Sequence, residues 1–396
     1  MPQISHRGIE MPSSPIRKLT PLANAAKKEG VKVYHLNIGQ PDLPTPQKAL
    51  DSLKGITRTT LEYSPSEGFL SLREKLVGYY ARFNIRITPD DIIVTTGGSE
   101  AILLSFLACM NPGDEMIMTE PGYANYISFA IMAGIKVKTV SSCIENGFSL
   151  PRVEAFEKAI TPHTRAILLC NPNNPTGYVY SPEELQKIKE IVLKHDLYLF
   201  SDEVYREFVY TDEPYVSALN LGIEDHVILI DSVSKRYSEC GIRIGMIVTQ
   251  NRLVRDTIMK SCQARLSPPL LGQIVAEASI EGVEEYAKAC YDEYRFRRDF
   301  FIKGLNSIPG VYSPMPHGAF YTVASLPVAD AEDFCRWCLT DFRLDGETVM
   351  MAPAAGFYRS PDLGRNQVRL AYVLKKEDLQ RSLLLLREAL KAYNNR

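Results

Sequence analysis

A chain of 396 residues, 45% of them hydrophobic, can bury a large core, and its length suggests two or three domains. A formal charge of −2 and a pI near 6.4 leave no basic field to neutralise a nucleic-acid backbone, which argues against nucleic-acid binding as a main function. No apolar run approaches the ~20 residues of a membrane span, and Met1 to Thr20 mixes Pro, Ser and charge without a signal-peptide core, so a cytoplasmic protein is expected.

The first ~45 residues read as an irregular arm with one helix, Ser14 to Glu29, and a short strand, Val31 to Leu36; Pro41, Pro44 and Pro46 then break the chain. From there helices and short apolar strands alternate. The helix Phe69 to Phe83 precedes the strand Ile92 to Val94, Ser99 to Met110 precedes Glu115 to Thr119, and Asn125 to Ala133 precedes Lys136 to Val140. The strand Ala166 to Cys170 leads to the helix Pro182 to His195 and the strand Tyr198 to Ser201, followed by strands Val227 to Asp231 and Met246 to Val248. Near-continuous apolar strands between helices indicate a mostly parallel sheet of seven strands covered on both faces, with ligands at the carboxyl ends of its strands. A helical region, Leu270 to Asn306, follows. The tail then carries strands near Gly318 to Val323 and Val368 to Ala371 and helices Ala331 to Phe342 and Lys376 to Lys391. The expected class is α/β, with a large domain over residues 45–285 and a smaller α+β domain built from residues 1–44 and 286–396.

The eight cysteines are scattered, most in apolar runs, such as Cys109 in SFLACM and Cys170 in AILLCNP, and fit buried reduced thiols. One CxxC occurs, Cys335 and Cys338, but with Phe334 and Phe342 it matches the buried stripe of a helix. A structural zinc would need two more ligands, and no second Cys/His pair lies nearby, so no metal is expected.

Five segments carry unusual polar residues where strands end. Gly97-Gly98-Ser99 can be an ordinary turn, or a close approach of backbone N–H groups at a helix start to an anion. Asn171-Pro172-Asn173-Asn174-Pro175-Thr176-Gly177 is a stiff loop able to aim an amide at a ring oxygen or a carboxylate. Asp202 ends YLFSD, either as a helix cap or as an acid in the crevice above the sheet. Ser232-Val233-Ser234-Lys235 runs on through Gly241, Arg243 and Gly245. A lysine desolvated beside a buried strand end is a potential nucleophile, and the serines and arginine suit a phosphate. Arg369, in NQVRLAYV, alternates with Val368 and Leu370 and is either solvent-facing or a bidentate carboxylate clamp.

Together with Gly39-Gln40-Pro41, Tyr63-Ser64-Pro65 with Gly68, and Tyr205, these segments make the chain resemble class I/II aminotransferases of fold type I over nearly its whole length. NPNNPTG and SxSK with GxRxG are the specific parts. The resemblance implies pyridoxal 5'-phosphate held through a Schiff base on Lys235, which then moves the proton at the substrate Cα. It implies Asp202 on the pyridine nitrogen, Asn174 and Tyr205 on the ring oxygen, and Tyr123 stacked on the ring. Gly98, Ser99, Ser232, Arg243 and Ser234 would hold the phosphate, and Arg369 the substrate α-carboxylate with help from Gly39 and Asn174. Tyr63 would reach the phosphate of a neighbouring subunit, which implies a homodimer. Ping-pong exchange between an amino acid and a 2-oxo acid would follow. The wider match, with SPIRKLTPLA and KRYSECGIRIG, is most similar to prokaryotic aspartate aminotransferases. Arg17 and Arg265 are the candidates for a cation reading a distal carboxylate. Aromatic or broad-specificity transamination, or β-elimination on the same cofactor, are the alternatives.

Overall fold

The computed structural model describes residues 2–282 and 284–396. In chain order its strands are β1 (Lys32–His35), β2 (Ile92–Thr95), β3 (Glu115–Glu120), β4 (Lys136–Ser141), β5 (Thr164–Cys170), β6 (Tyr198–Asp202), β7 (Val227–Ser232), β8 (Gly245–Val248), β9 (Tyr321–Ser325), β10 (Glu347–Met350), β11 (Ala352–Pro353) and β12 (Gln367–Ala371). Seven of them form one sheet in the order β2-β8-β7-β6-β5-β3-β4. It is parallel except at β8, which runs antiparallel to both of its neighbours.

Strand alternation sorts the apolar side chains into two cores, one per face. Ile93, Leu168, Phe200, Ile228, Ile230 and Ile247 join one cluster, and Val94, Ile167, Leu199, Val227, Leu229 and Val248 join the other. Both faces are covered by helices, as near-continuous apolar strands require. The first cluster continues into the C-terminal part of the chain, through Val349, Leu370 and Leu386. There β11, β12 and β9 form a second, antiparallel sheet, and β1 of the N-terminal arm pairs in parallel with β10.

The predicted elements are present, with three corrections of detail. The N-terminal helix covers Thr20–Lys28 rather than Ser14 to Glu29, because Pro21 lacks a donor and fits only the first turn; a further short helix spans His6–Glu10. The region Leu270 to Asn306 is two helices, Leu270–Ile280 and Glu284–Asn306, with Gly282 at φ +65° between them. Helices Gln47–Lys54, Val153–Ala159 and Arg252–Arg265 and strands β10 and β11 are additional. Phe334, Cys335 and Cys338 are buried on one face of the helix Ala331–Thr340, while Phe342 is buried just beyond its end. Among the described residues, no helix is long and apolar enough to cross a membrane.

Topology decides what meets at one edge of the large sheet. The carboxyl ends of parallel β5, β6 and β7 bring Cys170, Asp202 and Ser232 together, with Cys170 directly opposite Asp202. Because β8 is reversed, its first residue, Gly245, lies opposite both Ser232 and Thr95. The loops after β2, β5, β6 and β7 therefore converge with the loop before β8.

Candidate active site

These loops surround a cavity of about 750 Å³, closed on the other side by the N-terminal arm and by β9 and β12. Gly39, Gly98, Ser99, Tyr123, Asn174, Asp202, Tyr205, Ser232, Ser234, Lys235, Arg243 and Arg369 all line it. Of the residues expected to hold the cofactor or the α-carboxylate, Tyr63 alone is absent from its walls; it is 76% exposed.

One end of the cavity is an anion recess. The helix Gly97–Cys109 starts there, with Gly97 at φ +77°, so the N–H groups of its first turn are free of helical partners. Gly245 must lack a side chain, since a Cβ would come within 2.5 Å of the Gly98 nitrogen. This is what lets β8 press against the helix start. The Ser232 hydroxyl donates to Ile244 O at 2.8 Å and lies 2.8 Å from the Ser234 hydroxyl. The exposed Arg243 guanidinium lies over Gly97, where any side chain would collide with it.

Lys235 follows β7 in the short helix Val233–Arg236 and is half-buried, with Nζ donating to Gly39 O at 2.9 Å. Asp231 fixes both ends of this turn. Its Oδ1 accepts from Ser232 N at 2.7 Å, and its Oδ2 accepts from both Nη atoms of Arg236 at 3.0 Å and from the Tyr80 hydroxyl at 2.8 Å. Burial pushes the Asp231 carboxyl up, but Arg236 and Arg206 outweigh it and hold it below the usual carboxylate range.

Asp202 is 5% exposed and faces the cavity with no cation beside it. Its Oδ2 accepts from the Tyr126 hydroxyl at 2.6 Å, and Oδ1 from Val204 N at 3.3 Å. Desolvation pushes it up to about 6, against these two bonds. The loop after β5 separates its three asparagines by task. Asn171 Oδ1 accepts from Tyr180 N and Asn173 Oδ1 from Thr176, so both brace the loop. Asn174 is the one that lines the cavity. Its Oδ1 accepts from Arg369 Nη1 at 3.1 Å, which leaves its amide hydrogens free to donate.

Arg369 is 1% exposed, so it is not the solvent-facing arginine that a lone strand position allows. It lies against the Tyr321 and Phe357 rings, 4.6 and 5.0 Å from their centroids. Among the described residues, Asn174 and the Asn37 carbonyl are its hydrogen-bond acceptors, Nε has none, and no carboxylate pairs with it. Burial accordingly lowers its pKa. The Tyr205 hydroxyl lies 3.0 Å from that of Tyr321, which donates to Gly39 O at 3.2 Å. A Cβ at Gly39 would collide with that tyrosine hydroxyl.

Tyr126, Asn125 and Tyr321 also line the cavity and were not expected there. Tyr126 had a faint signal, lying three residues after Tyr123 at the start of a helix. Tyr321 had none. Of the two candidate distal cations, Arg17 lines the cavity and is exposed. Arg265 lies outside it, donating to Ser66 O at 3.0 Å, with Nη1 3.7 Å from Glu100, which caps Thr96 N.

A buried acid without a cation, a buried guanidinium without an anion, an amine and an anion recess together fit a phosphorylated pyridine aldehyde and an amino-acid carboxylate. The sequence profile described as "Aminotransferase class I and II" matches residues 31–383. The aspartate/prephenate aminotransferase of Thermus thermophilus is 30% identical over 363 residues, covering 90% of this chain and 91% of that one. The solved aspartate aminotransferase from Thermus thermophilus with maleate has a TM-score of 0.89 at 28% identity, covering 98% of this chain and 100% of that one. The alanine aminotransferase from Pyrococcus furiosus has a TM-score of 0.91 at 30% identity with the same coverage.

Proposed function

The chain belongs to the class I and II aminotransferases, which depend on pyridoxal phosphate, and on that premise we propose that it moves the amino group of an L-amino acid, aspartate favoured, to a 2-oxo acid such as 2-oxoglutarate. The observation that carries this reading is Arg369, buried in the same cavity as Lys235 and Asp202 with no carboxylate of its own. A buried charge without a partner is costly, and a ligand's α-carboxylate supplies the missing anion.

The cofactor supplies an electron sink for negative charge developing at the substrate Cα. The protein's own groups bind and orient. Gly98 N–H, Ser99, Ser232, Ser234 and Arg243 hold the phosphate at the helix start, where the macrodipole favours an anion. Asp202 would hold a proton on the pyridine nitrogen, Asn174 and Tyr205 would donate to the ring oxygen, and Tyr123 would pack on the ring. Burial raises the Tyr205 phenol far above its ordinary range, so it stays a neutral donor. Arg369, with Asn174 and the Gly39 backbone, orients the substrate carboxylate. Lys235 would hold the cofactor aldehyde, and its amine, when free, would be the base that moves the proton from the substrate Cα. Tyr63, exposed in the single chain, would reach the phosphate site of a second copy in the homodimer that the family resemblance implies.

Aspartate is favoured because Arg17 offers a second guanidinium on the cavity wall, suited to a distal carboxylate. The names of two relatives point the same way. A panel of twenty amino acids with 2-oxoglutarate tests this. Aspartate should give the highest kcat/KM, and Arg17→Ala should lower it about tenfold while leaving alanine unchanged. Much higher efficiency with tyrosine or phenylalanine would overturn the assignment. Pyruvate and ammonia in place of glutamate would establish β-elimination instead.

A further inference from the structure

Tyr126 does not belong to the set of groups that bind substrate or phosphate, yet among the described residues it makes the one side-chain hydrogen bond to Asp202. It stands in the first turn of the helix Asn125–Ala133 and is 1% exposed. Its hydroxyl lies 2.6 Å from Asp202 Oδ2, and its ring meets that of Tyr123 edge-on, with centroids 5.3 Å apart and planes at 88°. One residue thus touches both the acid assigned to the pyridine nitrogen and the ring assigned to the cofactor face. We propose that Tyr126 is a positioning residue for the cofactor: its hydroxyl fixes one oxygen of Asp202 in the charged form, leaves the other oxygen for the pyridine nitrogen, and its ring sets the tilt of Tyr123. The proposal rests on the assignment of Asp202 to that nitrogen.

The surroundings give the hydroxyl this task. Behind Asp202 lie Asp231 and Glu203, both of which disfavour its ionisation, as does its own burial. On the cavity side Cys170 and Tyr123 are neutral neighbours, with thiol and phenol both raised by burial. The two groups that favour the carboxylate are the Tyr126 hydroxyl and the Val204 N–H, and the latter is long at 3.3 Å. Tyr126 is itself buried and stays protonated, so it donates at every working pH. A donor to a charged acceptor in a dry site is among the stronger hydrogen bonds.

Tyr126→Phe removes the hydroxyl and keeps the ring against Tyr123, so folding is preserved and the electrostatic part is isolated. The apoenzyme, prepared by resolving the cofactor, is titrated with pyridoxal phosphate at pH 8 by fluorescence quenching. Aspartate labelled with ¹³C reports the titration of residue 202, assigned by its loss in Asp202→Asn. The expected result is a dissociation constant raised about tenfold to a hundredfold, and an Asp202 titration moved to higher pH. Both constants unchanged within about twofold would overturn the proposal, even if the melting temperature fell, because packing alone would then explain Tyr126. If Asp202→Asn weakens binding and Tyr126→Phe does not, this inference fails and the role of Asp202 stands. If Asp202→Asn also binds as tightly as the parent, both fail together.

Discussion

Replacing Asp202 by asparagine separates what this carboxylate costs the fold from what it does for the cofactor. Without cofactor, Asp202 titrates at about 6 instead of 3.8, because burial outweighs its hydrogen bonds. Proton binding by this group therefore favours the folded apoenzyme below the ordinary carboxylate range, and that contribution is lost as pH rises through about 6. A difference of about two pH units is worth about 3 kcal/mol at pH 8 and about 1 kcal/mol at pH 4.5. Asparagine keeps the acceptor for Tyr126 and removes the buried charge. The Asp202→Asn apoenzyme is then expected to be more stable than the parent by about 3 kcal/mol at pH 8, a melting shift of about 3–4 °C for a chain this long, and less so at lower pH. Loaded with pyridoxal phosphate the order reverses, since the parent alone offers an anion to the pyridine nitrogen. Calorimetry of both apoenzymes and both holoenzymes across pH 5.5 to 8 checks this. An apoenzyme destabilised by the substitution, or a gain indifferent to pH, would refute the claim that Asp202 is a strained charge awaiting a cation.

Lys235→Ala is expected to abolish turnover while the phosphate recess still retains cofactor, seen as an absorption spectrum of the free aldehyde; measurable turnover would exclude the lysine as the base. Arg369→Ala should raise KM for every amino acid about a hundredfold, from loss of a charge-assisted clamp worth about 3 kcal/mol, with cofactor affinity unchanged by equilibrium titration. Gly39→Ala drives a methyl into the Tyr321 hydroxyl, so kcat should fall about tenfold or more as the Tyr205–Tyr321 contact opens, with a lowered melting temperature in the same sample.

The large sheet was legible because its strands are buried on both faces and so read as short apolar runs, VILI in β7 and AILL in β5. Their order was not in those runs; it needs the pairing of β8 between β2 and β7, which no local pattern encodes. The site was legible where several constrained residues are consecutive, as at Ser232 to Lys235 and in NPNNPTG, and illegible where one side chain arrives from far away. Tyr321 meets Gly39 across 282 positions of sequence, and nothing near either residue announces the contact. Arg265 shows the converse. Its setting in QARLSPP invited a ligand role, but its guanidinium is engaged by Ser66 O and stands beside Glu100, away from the cavity. Composition within a segment gives the residue type at a strand end; only packing decides which way it faces.

Burial of charge alone does not mark a binding site here; the sign of the balance does. Beneath the Lys235 turn, Arg206 and Arg236 are as buried as Arg369. Burial lowers the proton affinity of all three guanidiniums, but at Arg206 and Arg236 the surrounding groups together, Asp231 foremost, more than reverse it, whereas at Arg369 burial prevails. The same contrast holds between acids: Asp231 ends below the usual carboxylate range and Asp202 above it. The first cluster, with Glu203 as its second acid, closes on itself and serves to hold the turn rigid. Among the described residues Asp202 has no cationic partner and Arg369 no anionic one, and both open onto one cavity. Charges held in deficit by the fold are those whose partners arrive with the ligand, a cationic ring nitrogen for one and a carboxylate for the other, and that pairing is what an amino acid joined to a phosphorylated pyridine aldehyde presents.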